Sequence, residues 1–215
     1  LRSFVWYKYA NYQYITLCRS VARYRLKKLS VDETCSILED LLLLTQSVDM
    51  NTSQMVYYSQ LELEIVAHWA QILREHGKYQ EGIQLCETVI QQLQHSAVGV
   101  EQQWNGFSFV FRVLSCLYFA KGEYETSIKV AEYVKHENIK RRDGASISVT
   151  LDMIADDLEH MGEQYSQEYQ KLYRYTYYIA EFFGIEGVMD GAKRYYEEKF
   201  DKEMVWYGDY FFSPF

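Results

Sequence analysis

Apolar residues recur three and four positions apart along almost the whole chain, the spacing that stacks side chains on one face of an α-helix. Leu63, Val66, Ala70 and Leu73 form one such stripe, and Ile83, Cys86, Val89, Ile90 and Leu93 form the next. Phe107, Phe111, Leu114, Leu117 and Tyr118 follow, then Ile128, Ala131 and Val134. Further on come Ile147, Leu151, Ile154, Leu158 and Met161, and after them Leu172, Tyr173, Ile179, Ala180 and Phe183. Upstream, the pattern predicts a long helix from about Phe4 to Lys28. Ser30, with Glu33 three residues later, predicts a capping box ahead of a helix carrying Ile37, Leu38, Leu41 and Leu42. The run Leu41–Leu44 is expected to be a buried seam. Strand-like alternation holds nowhere for a useful length, and the one proline, Pro214, lies near the end. The fold class expected is all-α.

The breaks between stripes repeat. Gly77-Lys78-Tyr79-Gln80-Glu81-Gly82-Ile83 is echoed by Gly122-Glu123-Tyr124-Glu125-Thr126-Ser127-Ile128, and more loosely by Gly162-Glu163-Gln164-Tyr165. Each glycine suits a helix C-terminus closed by a left-handed residue. The Tyr would fill the corner, and the small residue (Gly82, Ser127) would let two helices cross closely. Ala70, Ser115 and Ala155 each stand seven residues before their glycine as small first-helix positions, while Cys86/Ala131 and Val89/Val134 fill second-helix packing sites.

This phrasing resembles tetratricopeptide repeats. The period here is longer than the usual 34 residues, the closing proline is absent, and Tyr165 falls one place late. The resemblance implies a superhelix of antiparallel helix pairs with elongated, degenerate repeats. The pairs are expected over about 1–46, 61–95, 105–140 and 146–184, with a C-terminal cap over 188–215, all in one repeat domain. The stretch from Leu172 to Ile185 and the Lys193–Glu198 segment are similar to the tails of bacterial helix-turn-helix regulators with a tetratricopeptide sensor region, peptide-pheromone receptors among them. That likeness implies a sensing and dimerisation region in the cytoplasm, a short peptide or protein segment as partner, and a homodimer. It also implies contact with DNA only through a domain upstream of Leu1, where the chain begins without a Met.

In such arrays the first helix of each pair lines the concave surface, which is the binding surface. The inward positions are then His68, Gln71 and Arg74 in one repeat and Phe109, Arg112, Cys116 and Phe119 in the next. Asp152, Asp156 and Glu159 occupy them in the third, with Arg19 and Arg23 added from the N-terminal pair. An arginine could hold a peptide carboxylate through a bidentate bond, Gln71 could satisfy backbone amides, and the phenylalanines could take an apolar side chain. The acidic residues would favour a basic terminus. The competing reading is a protein–protein scaffold with no small ligand.

Charge and chemistry change this picture little. The net charge is −8, yet residues 1–30 hold seven basic side chains and no acidic one, so all 30 carboxylates lie further on. The basic end is expected to dock on the chain's own acidic part or on a partner. Four scattered cysteines, Cys18, Cys35, Cys86 and Cys116, read as reduced core thiols. The five histidines lack metal-ligand spacing and read as surface or capping residues. His68 and His76, eight apart, could share a face. Asp152, Asp156, Asp157 and Glu159 read as a solvated acidic face, and the tyrosine clusters (Tyr7, Tyr9, Tyr12, Tyr14; Tyr173, Tyr175, Tyr177, Tyr178) as ordinary packing. No phosphate loop, dinucleotide turn, nucleophile elbow or zinc-protease motif occurs. No apolar run reaches membrane-spanning length. A binding protein without enzymatic activity, metal or cofactor is expected.

Overall fold

The structure is a computed structural model that describes residues 2–46, 58–94 and 104–200. Among these residues the chain is all-α, with helices packed on their sequence neighbours: α1 (Arg2–Arg25), α2 (Val31–Gln46), α3 (Gln60–Glu75), α4 (Tyr79–Gln94), α5 (Trp104–Lys121), α6 (Tyr124–Arg141), α7 (Gly144–Met161), α8 (Ser166–Phe183) and α9 (Glu186–Phe200). No described helix is long and apolar enough to cross a membrane. The part of the expected C-terminal cap beyond Phe200, and the side chain of Leu93, lie outside the described residues.

The chain divides into two compact units, residues 1–130 and 131–215. In the first, α1 packs on α2, α2 on α3, and α3 on both α4 and α5. Leu63, Ile65, Val66, Ala67 and Ala70 of α3 are fully buried there, with Leu38, Cys86, Phe107 and Leu117 around them. A fully buried Leu or Ile contributes about 2 kcal/mol of transfer free energy, so this stripe dominates the unit's stability. The small residues of the repeated phrase do what the pattern implies. A Cβ on Gly82 would stand 2.8 Å from a Leu117 methyl, and Ser115 and Ser127 hydrogen-bond each other, Ser127 Oγ donating to the Ser115 carbonyl at 2.9 Å. In the second unit α8 lies between α7 and α9, around a core of Ala155, Tyr169, Tyr173 and Tyr196.

Helix ends explain the register. The expected capping box is present: Glu33 N–H donates to Ser30 Oγ at 3.2 Å, and Ser30 N–H to Glu33 Oε2 at 2.8 Å. A second box, Ser59 with Glu62, opens α3. At Gly77 and Gly122 the chain closes in the left-handed region (φ 74° and 84°), with paired backbone bonds such as Lys78 N–H to the Leu73 carbonyl at 2.9 Å. The corner at Gly184 has the same form. So do the corners at Lys27 (φ 56°) and Arg142 (φ 58°), where a basic side chain occupies the glycine position at a cost of about 1 kcal/mol. Gly162 departs from the expected left-handed corner. Its φ of 122° and ψ of 175° are open essentially to glycine alone, and a single 3-10 turn, Glu163–Tyr165, follows.

Several expectations need correction. Leu41 and Leu42 are buried, but Leu43 and Leu44 are exposed, because consecutive helical residues step around the axis by about 100°. Tyr9, Tyr12 and Tyr14 are exposed rather than packed: among the described elements α1 packs on α2 and α3, and those contacts do not cover these rings. Phe183, expected in the α8 stripe, is half exposed at the helix end, with its ring edge against Gly144. None of the four cysteines is in a disulfide, and Cys18 is on the surface, not in the core.

Candidate ligand-binding site

The expected positions on α3 and α5 are all half-buried. His68, Gln71 and Arg74 recur every three residues on α3, and Phe109, Arg112, Cys116 and Phe119 recur at three and four on α5. Close approach of the two helices fixes their relation: a Cβ on Gly106 would lie 2.9 Å from the Leu63 Cβ. About one turn further along, the His68 ring meets Phe109 edge-on, with centroids 5.4 Å apart, and the Arg112 guanidinium lies 5.6 Å from the centre of the same Phe109 ring. Both contacts are favourable for a ring with a negative face. Burial lowers the His68 pKa below its ordinary 6.5, so the imidazole on this face is neutral at pH 7. His68 is therefore a half-buried ring packed on Phe109, not the expected surface histidine, while the Nε2 of His76 meets the Tyr24 hydroxyl at 2.8 Å. Phe119 meets Tyr124 edge-on at 5.6 Å, so the far end of the face is aromatic too.

This is a fold seen before. Among solved structures the chain is similar to Bacillus thuringiensis PlcR in complex with the peptide PapR7 and DNA, at a TM-score of 0.67 and 19% identity. The match covers 84% of this chain and 60% of that one, so the chain spans well under two thirds of the PlcR chain's length. At that identity the likeness is one of fold. No protein-family model and no curated protein matches the sequence.

Arg19 and Arg23 are exposed on α1. Among the described residues no hydrogen bond, ion pair or ring contact joins them to the α3–α5 face. The charge of Arg23 is felt instead at the start of α2, where it reinforces the Ser30 hydrogen bonds that hold Glu33 below the usual carboxylate range. The basic end does meet an acid of its own unit, through Arg25 and Glu75 at 2.9 Å.

In the second unit, Asp152, Asp156 and Glu159 stand on α7 at three- and four-residue spacing, as expected, but they are half-buried rather than solvated. The fully buried Tyr173 of α8 supplies a hydroxyl 2.7 Å from Asp156 Oδ1 and 2.9 Å from Glu159 Oε2. Lys199 of α9 pairs with Glu159, and the Tyr195 ring stacks on Tyr173 at 6.1 Å. Burial and the neighbouring Asp156 push Asp152 up to about 7. Burial also raises Asp156, against the opposing bond from Tyr173. Burial and the carboxylates drive the Tyr173 hydroxyl far above the normal phenol range, so it remains a donor. Such a group holds a proton near neutrality or exchanges it for a cation. The Tyr173 partnership was hidden in the sequence because it joins two helices 14 to 17 positions apart. Among the described residues no cluster of His, Cys, Asp and Glu has metal-binding geometry.

Proposed function

We propose that this chain is the sensing region of a transcriptional regulator, with a short peptide or protein segment bound along the face formed by α3 and α5. The likeness in fold to PlcR, whose solved complex contains a peptide and DNA, supports the reading. The observation that carries it is the His68–Phe109–Arg112 array, which sets an oriented cation and neutral rings side by side on a half-buried face. Arg112 and Arg74 would take a carboxylate by charge-assisted bonds. Phe109 and Phe119 would take an apolar side chain, and Gln71 the backbone amides. Taken by itself, and independently of that face, the second unit would offer Asp152 and Asp156 to a basic group. The reading carries with it a homodimer, a cytoplasmic location and a DNA-reading domain supplied outside this chain. A peptide gripping this face would shift a conformational equilibrium only by its differential affinity for the two states.

Calorimetry with short synthetic peptides, each with a free and with an amidated C-terminus, tests the proposal. A free carboxylate is expected to bind at least about tenfold more tightly, and Arg112→Ala to remove that preference, in keeping with the loss of one charge-assisted bond. Absence of binding by any peptide, or unchanged affinity in Arg112→Ala, overturns it. The exposed rings of α1, Tyr9, Tyr12 and Tyr14, support a second reading, a protein-docking scaffold with no small ligand. Sedimentation of a Tyr12→Ser, Tyr14→Ser double variant separates the two: loss of self-association with no peptide binding favours the scaffold.

A further inference from the structure

Where α1 turns into α2, a surface depression of about 780 Å³ opens beside the C-terminal end of α3. Its acids are already engaged. Glu33 accepts from the Ser30 N–H and hydroxyl, both at 2.8 Å, and Glu75 is held by Arg25 at 2.9 Å and by the Tyr24 hydroxyl at 3.0 Å. Its two lysines, Lys27 and Lys28, are exposed and form no ion pair among the described residues. The start of α2, with its partial positive charge, borders the same space through Ser30 and Val31. Lys27 also occupies a backbone conformation that costs it energy, at a corner whose counterparts Gly77, Gly122 and Gly184 are glycine. A strained residue kept in place of the easy one points to a use for its side chain.

We propose that this depression binds a small phosphomonoester, with Lys27 and Lys28 on the phosphate. Two ammonium groups suit a dianion, whereas the guanidinium that would favour a planar carboxylate, Arg25, is spent on Glu75. The depression is far larger than one phosphate needs and is broadly open to solvent. Tyr24, fixed by its bonds to Glu75 and His76, and the half-buried Leu29 and Val31 form the wall for the organic part.

The full chain titrated calorimetrically with inorganic phosphate, adenosine monophosphate and adenosine gives the test. The monophosphate is expected to bind about tenfold or more tightly than phosphate, adenosine not at all, and added salt to weaken both anions. Lys28→Gln is expected to lower the affinity about tenfold. Lys27→Gly does the same while raising the melting temperature by a few degrees, on the order expected from relief of one strained residue, so its loss of binding cannot come from unfolding. The site is refuted if neither anion binds, if adenosine binds as well as its monophosphate, or if both variants keep wild-type affinity. None of these outcomes bears on the α3–α5 face, whose variants are different.

Discussion

The α3–α5 face and the α7–α8 face occupy the same position in their helix pairs, yet their chemistry is opposite. On the first, side chains of two first helices meet one another: His68 of α3 meets Phe109 of α5 across the seam, and Phe109 in turn faces the Arg112 cation of its own helix. On the second, the carboxylates of a first helix are held by its own second helix, through Tyr173. The first arrangement leaves the face chemically varied and charge-stable near neutrality. The second makes it a proton store, because Asp152 titrates near 7. Equal register therefore does not confer equal availability to a ligand. What decides it is whether the neighbouring helix brings a partner for the polar group.

The largest expected effect is at Tyr173. Its replacement by Ala removes a fully buried ring that also carries the Tyr195 stack, and should cost about 3–5 kcal/mol in urea unfolding. Tyr173→Phe keeps the ring and strips the donor from Asp156 and Glu159. The cost should fall to about 1–3 kcal/mol and be greater at pH 8 than at pH 5, where fewer carboxylates are charged. A cost independent of pH would mean that the hydroxyl does not hold those carboxylates.

Asp152→Asn comes next. In the native state Asp152 holds its proton up to about 7, whereas the unfolded chain releases it near 3.8. The native state thus binds more protons between these values, and stability falls as pH rises through that window. The amide removes this slope, so the variant should gain about 1–3 kcal/mol at pH 8 and almost nothing at pH 4. Equal stability at both pH values would place the carboxylate in water. On the other face the sign reverses. His68 has a lowered pKa, so acidification through 6.5 and below should cost stability as the unfolded chain takes the proton first. Phe109→Ala should cost about 1–2 kcal/mol and move the His68 titration, followed by NMR, back toward 6.5. The smallest effect is at the α2 cap, where Ser30→Ala should cost about 1 kcal/mol.

Much of this was legible in the residue pattern. Helix stripes can be read because a buried face repeats every turn, and the corners at Gly77 and Gly122 because few other residues close a helix so cheaply. Spacing alone put the seven positions from His68 to Phe119 on two helices, and the ring contact of His68 with Phe109 joins the two sets. Burial of the acidic residues could not be read, because Tyr173, Tyr195 and Lys199 come from elements whose docking no spacing on α7 reveals. A search guided by glycine also passes over the corners at Lys27 and Arg142, where a basic residue bears the strain. Exposure of Tyr9, Tyr12 and Tyr14 depends on how α1 docks on α2 and α3, which no spacing within α1 reveals.

Gly82 sits so near Leu117 that not even one methyl group could be slipped between α4 and α5. The Leu117 methyls thus ride directly on the α4 backbone, and a guest that tilts α5 is felt first at that contact. A position with no room for a methyl group is where a displacement of one helix is handed to the next.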